Sequence, residues 1–266
     1  MELQLGDVQT TALIPLAIKA NETLRDNPRI RDTKAVEIIR HLHIDTKQYD
    51  KFLSHEGVVA RTIMLDRQLK KIIQEHPDTV IVNIGAGFDN RFTRVDNGKI
   101  RWFDLDLPDA IEARKKAFSE QDRVTMIPCD ALKSDWISEV NSALSGRESK
   151  PVFIAEGLFM YLTFDQIKTL LKNLKEGFPK GGTLIAEQNN KWMVKNEKYH
   201  DTVKSTKAHF VSGTDSAQEI ADLLEGIRLM DEHSFNEEMN KHSIRGKIFA
   251  LLFPNMNDRW ATFEWG

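Results

Sequence analysis

Val80-Ile-Val-Asn-Ile-Gly-Ala-Gly-Phe-Asp89 is the stretch that decides the fold of this 266-residue chain. Branched apolar residues run almost continuously through 80–84, which is typical of a parallel strand covered on both faces. The turn Gly85-Ala86-Gly87 follows, and a glycine, which has no Cβ, lets the backbone turn sharply and lie against a ligand. The stretch therefore predicts a first buried strand followed by a ligand-binding turn.

Two carboxylates, Asp104 and Asp106, come about twenty residues after this turn, at the end of a second apolar segment, 100–105. Alternate side chains of a strand point to the same face, so the two carboxylates lie on one side of it. In nucleoside-binding α/β folds, an acid at the tip of the second strand accepts hydrogen bonds from the ribose hydroxyls. We therefore expect one of these carboxylates to bind a ribose.

The glycine turn differs from the fingerprint of dinucleotide-binding enzymes. Residues 85–90 lack the third glycine of that fingerprint, and Asp89 stands where a pyrophosphate would bind at a helix N-terminus. A carboxylate there would repel a diphosphate, but it would tolerate a cofactor that carries a ribose, a sulfonium and an ammonium. The pattern disfavours NAD, and a nicotinamide-dependent oxidoreductase stays an alternative.

The composition is that of an ordinary globular protein. Hydrophobic residues make up 41% and charged residues 29% of the chain, and its length fits one large α/β domain with a helical addition, or two small domains. The net charge of −3 provides no general attraction to nucleic acid, so no nucleic-acid partner is expected.

Cysteine usage and apolar runs bear on the compartment. Cys129 is the only cysteine, which excludes an intrachain disulfide and a cysteine metal cluster, and we predict no metal site. The N-terminus has no signal-peptide pattern, and no apolar run approaches the length of a membrane span. These features predict a cytoplasmic protein without a membrane partner.

Strand and helix patterns alternate after an N-terminal helical region. Apolar stripes at helical spacing cover most of 8–76 and predict a helical cap region, 1–77, before a core, 78–266. Five apolar segments then predict parallel strands joined by helical crossovers. They are 80–84, 100–105, 124–129, 152–156 and 183–188. Strands near 227–235 and 259–265 complete a predicted α/β fold, a seven-stranded mixed sheet with helices on both faces.

Local signals place several helices. Pro108 is suited to open one, and Thr163-Phe-Asp-Gln166 reads as a capping box that begins another. The segment 189–212 is too polar for a central core element, and we interpret it as a helical, lid-like insertion on the substrate side. A helix over 215–225 and an insertion over 243–253 are predicted farther on.

The ordered motifs of this chain resemble those of the leucine carboxyl methyltransferase family, especially its bacterial members similar to the tetracenomycin polyketide O-methyltransferases. The motifs are Thr11-Ala-Leu-Ile-Pro15, Val59-Ala-Arg-Thr62, Asn83-Ile-Gly-Ala-Gly-Phe-Asp89, Phe103-Asp-Leu-Asp-Leu-Pro108 and Ala155-Glu-Gly-Leu-Phe-Met-Tyr-Leu162. The resemblance implies a class I, Rossmann-like methyltransferase sheet. Such a sheet would bind S-adenosylmethionine and transfer its methyl group to a carboxylate or hydroxyl oxygen.

The resemblance also implies which residues contact the methionine and ribose of the cofactor. Arg61 would pair with the methionine carboxylate, for which a guanidinium provides a bidentate partner. Gly85, with the rest of its turn, would approach the cofactor backbone. Asp106 matches the ribose ligand of the family, and Asp104 would be its neighbour.

Further positions match the adenine side and the sulfonium side. Asp130 and Ala131 match a pair that contacts adenine through a side-chain oxygen and a backbone amide. Glu156, at the end of the fourth strand, matches an acid near the amino group and the sulfonium. Lys19 is our candidate for a basic residue of the N-terminal helices that touches the cofactor.

Methyl transfer by in-line displacement depends mainly on the alignment of the acceptor oxygen with the sulfonium. A carboxylate acceptor is already ionised at neutral pH, whereas a phenol or alcohol would benefit from a base. Tyr161, His200 and His209 are candidates for that base, and no sequence constellation supports any of them.

The sequence thus predicts an S-adenosylmethionine-dependent O-methyltransferase that acts on a small molecule with a carboxylate or hydroxyl, with a polyketide-like metabolite as one candidate. The alternatives are a protein carboxyl methyltransferase, the nicotinamide-dependent oxidoreductase, and a non-catalytic nucleoside-binding domain that has lost turnover.

Overall fold

The computed structural model describes residues 9–119, 121–197, 208–242, 244–253 and 256–266. Within them, seven strands form one mixed sheet. They are β1 Val80–Ile84, β2 Arg101–Asp106, β3 Val124–Pro128, β4 Val152–Ala155, β5 Gly182–Gln188, β6 Arg228–Ser234 and β7 Arg259–Trp265. The predicted seven-stranded sheet is confirmed, and the strand ends differ from the predicted ones by a residue or so.

The strand order is β3-β2-β1-β4-β5-β7-β6. The first five strands pair in parallel, as the alternation of strand and helix patterns predicts. Strand β7 runs antiparallel to both β5 and β6, with Gln188 opposite Arg259. This register brings the start of β7 to the edge of the sheet where the parallel strands end.

Helices cover the sheet, and three of them precede its first strand. They are α1 Leu13–Thr23, α2 Thr33–His41, α3 Phe52–Glu75, α4 Arg91–Val95, α5 Pro108–Ala117, α6 Ile137–Leu144, α7 Phe164–Gly177, α8 Lys191–Lys195, α9 Gln218–Ala221, α10 Asn236–His242 and α11 Ile244–Leu252. Short 3-10 helices span Gln9–Ala12, Thr46–Gln48 and Phe159–Tyr161. None of the helices in the described ranges is long and apolar enough to cross a membrane.

The two faces of β1 enter different cores, as expected for a strand buried on both sides. Val82 and its alternate neighbours pack with α6, α7 and α9 on one face. Ile81 packs with α3 and α10 on the other, around Leu65, Leu69 and Met239. The central strand is therefore held rigidly beneath the glycine turn that follows it.

The predicted N-terminal helices are present as α1, α2 and α3. Helices α1 and α2 share an apolar cluster with Phe88, Ala113 and Phe118 of the sheet region. The division into a cap region, 1–77, and a core, 78–266, stays a prediction.

Two local helix signals are confirmed. Pro108 occupies the first turn of α5, and Thr163 with Gln166 forms a complete capping box at α7.

The predicted helical insertions are only partly helical. In the insertion after β5, α8 has five residues, 198–207 lie outside the described residues, and 208–213 is not helical. The helix predicted over 215–225 is shortened to α9, which ends after four residues.

Two glycines should respond to alanine with opposite signs. A Cβ at Gly182 would lie 2.5 Å from Cζ2 of Trp265, and overpacking of this kind costs about 1–3 kcal/mol. A Cβ at Gly57, within α3, would meet no atom within 4 Å, and alanine favours a helix over glycine by about 1 kcal/mol. Urea unfolding should therefore show Gly182→Ala destabilised and Gly57→Ala stabilised. Equal shifts in both variants would contradict this packing.

Candidate functional site

A cavity of about 470 Å³ opens at the edge where the parallel strands end. Strand β1 lies between β2 and β4, so the connections leave it toward opposite sides of the sheet. In open α/β sheets, ligands bind in the crevice that this reversal creates. The sheet therefore positions a binding site at the end of β1.

The glycine turn after β1 forms the floor of the cavity. Gly85 and Gly87 have positive φ angles of 71° and 46°, a backbone region that favours glycine. Gly85, Ala86 and Gly87 all line the cavity, as predicted for residues that approach a ligand. At Gly87 a Cβ would come within 3.1 Å of the Cβ of Ala12.

Asp106, the last residue of β2, faces this floor. Its Oδ2 accepts a hydrogen bond from the backbone N–H of Gly87 at 2.8 Å, and its Oδ1 accepts one from Leu107 at 2.8 Å. Burial raises the pKa of Asp106 against the opposing effect of these two bonds. The carboxyl group is thus oriented in the cavity, where a vicinal diol could donate to it.

Asp104 is not among the residues that line the cavity. Its carboxylate accepts hydrogen bonds from Nε1 of Trp102 at 2.9 Å and from Nη2 of Arg114 at 2.7 Å. Arg114 also donates to the backbone oxygen of Gly87 at 2.9 Å. Asp104 is therefore a buried neighbour of Asp106 that positions the glycine turn through Arg114, and it lies behind the lining of the cavity.

The predicted adenine-side pair lies at the end of β3. Asp130 and Ala131 both line the cavity, and Oδ1 of Asp130 accepts a hydrogen bond from the backbone of Leu132 at 2.9 Å. The site thus continues across three neighbouring strand ends.

Arg61 projects from α3 between two carboxylates. Its Nε lies 3.0 Å from Oε1 of Glu156, and its Nη1 donates to both oxygens of Glu187 at 3.0 Å. Glu187 also accepts a hydrogen bond from the backbone of Gly157 at 2.7 Å. Burial raises the pKa of Glu187 although Arg61 opposes the rise.

Glu187 is a site residue that the sequence analysis missed. It lies near the carboxyl end of β5, and open α/β sheets bind ligands at the carboxyl ends of their strands, so this rule could have found Glu187 in the sequence.

A second arginine, Arg91, also pairs with Glu156. Its side chain is fully buried and lies 2.7 Å from Asp66, 2.5 Å from Asp89 and 2.6 Å from Glu156. Lys19 lines the cavity, as predicted for a basic residue, and pairs with Asp89 at 2.9 Å. We call Lys19, Arg61, Asp66, Asp89, Arg91, Glu156 and Glu187 the buried charge network.

The network changes the interpretation of Asp89. Burial alone would raise its pKa, but the charges of Arg91, Lys19 and Arg94 outweigh burial and hold that pKa far below its ordinary value. Asp89 is ionised yet paired with cations, so it is not the isolated repelling charge that the sequence argument assumed. The case against a pyrophosphate rests instead on the missing third glycine.

The two candidate bases that the structure describes, Tyr161 and His209, do not both line the cavity. Tyr161 lines the cavity, and burial raises its pKa to about 12, so at neutral pH its phenol holds its proton and serves as a hydrogen-bond donor. His209 is exposed and lies 3.3 Å from Glu197, away from the cavity lining. His200 lies outside the described residues.

Apolar side chains form another wall of the same cavity. These include Val58, Met160, Met193, Phe210, Phe235, Met239, Phe249 and Met256. Methionines adapt to irregular ligands, and aromatic rings provide flat surfaces. This part of the cavity suits an organic molecule with a large apolar area.

A comparison with protein families matches residues 12–175 of the chain to the family described as leucine carboxyl methyltransferase. This match covers more than half of the chain and includes the glycine turn, both strand-end acids of β2 and Glu156.

Individual relatives point in the same direction. The tetracenomycin polyketide synthesis O-methyltransferase TcmP of Streptomyces glaucescens is 26% identical over 234 residues, which are 87% of this chain and 84% of TcmP. The S-adenosyl-L-methionine-dependent methyltransferase dpfgK of Gibberella zeae is 23% identical over 68% of this chain and 65% of its own length.

Solved structures share the fold. A Thermobifida fusca protein superposes with a TM-score of 0.61 at 11% identity, covering 96% of this chain and 94% of its own. Magnesium protoporphyrin IX methyltransferase from Synechocystis, solved with bound SAH, has a TM-score of 0.52 at 10% identity and covers 88% of this chain and 95% of its own. The predicted class I methyltransferase architecture is confirmed.

Proposed function

This chain belongs to the leucine carboxyl methyltransferase family and is an S-adenosylmethionine-dependent methyltransferase, and from that premise we propose that it methylates a carboxylate or hydroxyl oxygen of a small molecule. The observation that carries the proposal is that the acid-lined strand ends and an apolar wall belong to one continuous cavity. This arrangement accommodates a cofactor and an organic acceptor side by side. The family assignment leaves no support for the nicotinamide-dependent alternative.

The charges of the cavity fit S-adenosylmethionine. Its lining includes six carboxyl groups, from Asp89, Asp106, Asp130, Glu156, Glu187 and Asp258, but only two cationic side chains, from Lys19 and Arg61. S-adenosylmethionine carries a sulfonium, an ammonium and one carboxylate, so its net charge is positive. An acidic lining attracts such a ligand.

The hydrogen-bonding groups of the cavity also fit S-adenosylmethionine. Nε of Arg61 is buried and makes no hydrogen bond despite its proximity to Glu156, so this fork has a donor available for a ligand carboxylate. In our proposal, Arg61 binds the methionine carboxylate and Glu156 the amino group. Asp106 binds the ribose, and Asp130 and Ala131 bind the adenine.

When bound, S-adenosylmethionine supplies an electrophilic methyl group on its sulfonium. The task of the chain is then to orient the donor, align the acceptor oxygen and exclude water, and such alignment provides a large part of the rate in bimolecular reactions. Within the buried charge network, Arg61 pairs with Glu156 and Glu187, and Glu156 also pairs with Arg91, so both side chains are restrained. The apolar wall supports an acceptor with a large apolar area, and the relationship to TcmP supports a polyketide-like one.

Calorimetric titration with S-adenosylmethionine, S-adenosylhomocysteine and NADH in one buffer tests the cofactor part of the proposal. We expect micromolar dissociation constants for the first two ligands and no heat of binding for NADH. An acceptor screen that follows the methyl group by mass spectrometry tests the O-methyl part. Binding of NADH alone, or methylation of nitrogen acceptors only, would contradict the proposal.

A further inference from the structure

We propose that the acceptor is a neutral hydroxyl compound and that Asp258 takes the hydroxyl proton as the methyl group is transferred, an inference that rests on the function proposed above. Asp258 lines the cavity and directly precedes β7. Neither the sequence motifs nor the family resemblance pointed to it.

The sheet register places Asp258 beyond the cofactor positions. Residue 259 pairs with Gln188 at the end of β5, so Asp258 lies at the edge where β4 and β5 end. Strands in a sheet are about 4.8 Å apart, and β7 is two strands from β4, so Asp258 lies about 10 Å along this edge from Glu156. If Glu156 binds the amino group of the cofactor, the acceptor occupies the space between the cofactor and Asp258.

A buried amide beside Asp258 lacks hydrogen-bond partners. Asn189 lines the cavity with only 1% of its surface exposed, and neither Nδ2 nor Oδ1 has a partner among the described residues. A buried amide without partners is costly, so such a group points to a ligand that supplies them. The oxygen of a hydroxyl acceptor can accept a hydrogen bond from Nδ2 while its proton faces Asp258.

Charge distinguishes a hydroxyl from a carboxylate acceptor. Of the two cationic groups that line the cavity, Lys19 pairs with Asp89, and Arg61, which lies between two glutamates, is taken in our proposal by the methionine carboxylate of the cofactor. A carboxylate at the Asp258 end would face Glu187 and Asp258 without a free cation among the lining residues. Burying an unpaired charge is expensive, whereas a neutral hydroxyl avoids that cost.

The environment of Asp258 makes it a usable base. Burial, with the negative charge of Glu187, raises the pKa of Asp258 to about 7, while the charges of Arg61 and Arg259 oppose the rise. The backbone of Asn190 also hydrogen-bonds to this carboxyl group. A general base is most effective when its pKa lies near the working pH. Asp258 is therefore ionised above neutral pH and basic enough to accept a proton.

The step balances without a further reactant. A lone pair of the acceptor oxygen forms the new bond to the methyl carbon, and the electron pair of the broken carbon–sulfur bond stays on sulfur. The hydroxyl proton moves to a carboxylate oxygen of Asp258, which then releases it to water. The products are the methyl ether, S-adenosylhomocysteine and one proton.

The first test measures Asp258 in the ligand-free full-length protein by NMR titration of the aspartate carboxyl carbons. We expect one resonance that titrates near pH 7 and that disappears in Asp258→Asn but persists in the control Asp222→Asn, which removes an exposed acid on the loop after α9. Titration of the Asp258 resonance near its ordinary pKa of about 4 would overturn the proposal.

The second test compares α-naphthol and α-naphthoate, which share a ring system, as probes of the protein loaded with S-adenosylhomocysteine. At about one pH unit above neutrality we expect naphthol to bind at least about tenfold more tightly, and Asp258→Asn to reduce this preference. Equal or tighter binding of naphthoate, or no binding of either probe, would overturn the proposal.

The third test follows methylation of the same probes with S-adenosylmethionine. We expect Asp258→Asn to slow naphthol methylation by about 100-fold, with unchanged calorimetric affinity for S-adenosylmethionine. An undiminished rate, no methylation of naphthol, or methylation of naphthoate alone would overturn the role of Asp258. Methylation of naphthoate alone would still support the proposed O-methyltransferase, whereas a wild-type protein that does not bind S-adenosylmethionine would contradict the proposed function itself.

Discussion

Asp106→Ala is expected to weaken binding of S-adenosylmethionine by about 100-fold or more. A hydrogen bond to a charged group contributes about 1.5–3 kcal/mol, and the proposed contact has the carboxylate accept from two ribose hydroxyls, so the loss is at least about 3 kcal/mol. The same carboxylate holds the N–H groups of Gly87 and Leu107 at 2.8 Å. The variant therefore also loosens the glycine turn against which the cofactor would lie.

Calorimetry on folded protein measures this loss, and Asp109→Ala provides the matched control. Asp109 is an exposed acid in the first turn of α5, three residues beyond Asp106 and outside the cavity lining. If attraction of a cationic ligand by general negative charge were the main effect, both variants would weaken binding equally. A change confined to Asp106 supports the direct contact, and unchanged affinity in Asp106→Ala would contradict the site assignment.

Arg61 provides an independent check of the opposite end of the cofactor. Lysine keeps the charge of arginine but not the planar fork that binds a carboxylate through two parallel hydrogen bonds. If Arg61→Lys left the affinity unchanged, the proposed pairing with the methionine carboxylate would be wrong.

Local sequence patterns were sufficient to predict the sheet and the edge at which the cavity lies. The strand 80–84 and the glycine turn follow from the backbone preferences of their own residues, whereas the choice of Asp106 over Asp104 came from the family resemblance. Asp130 and Ala131 were assigned through the family resemblance, whereas Glu156 could be added because the ends of parallel strands meet at one edge. For the same reason Glu187 was within reach of the sequence argument.

Other site residues depend on contacts between distant parts of the chain. Arg61 and Glu187 are 126 residues apart in sequence, and Arg91 and Glu156 are 65 apart. Asp258 reaches the cavity only because β7 is antiparallel to β5, a pairing that no local pattern specifies. Asp89 was misjudged partly for the same reason. Arg91, the largest of the charges that lower its pKa, is only two residues away, but Lys19 lies 70 residues away on α1.

Arg91→Leu is expected to lower the free energy of unfolding by about 3–5 kcal/mol. The Arg91 side chain is fully buried and contacts Asp66, Asp89 and Glu156. Its removal leaves these three carboxylates, each no more than 13% exposed, short of a cation. Urea unfolding at neutral pH measures the effect. Lys172→Leu, which breaks an exposed pair with Glu176 on α7, should change stability by no more than about 1 kcal/mol.

The pH dependence separates loss of the charge from loss of packing. In the wild type, burial would raise the pKa of Glu156 and Asp89, but Arg91 is the largest of the opposing charges and both pKa values are lowered. Their contribution to stability is thus complete above the ordinary carboxyl pKa of about 4 and is lost only as the pH falls through the lower folded values.

In Arg91→Leu, burial with less compensation raises these pKa values, so the carboxylates take up protons above pH 4. The stability difference between the two proteins should therefore shrink between about pH 7 and pH 5, because the variant gains stability there, whereas Asp89 and Glu156 of the wild type stay ionised. A difference that stays constant over this range would mean that Arg91 acts through packing, and that its charge does not hold the network together.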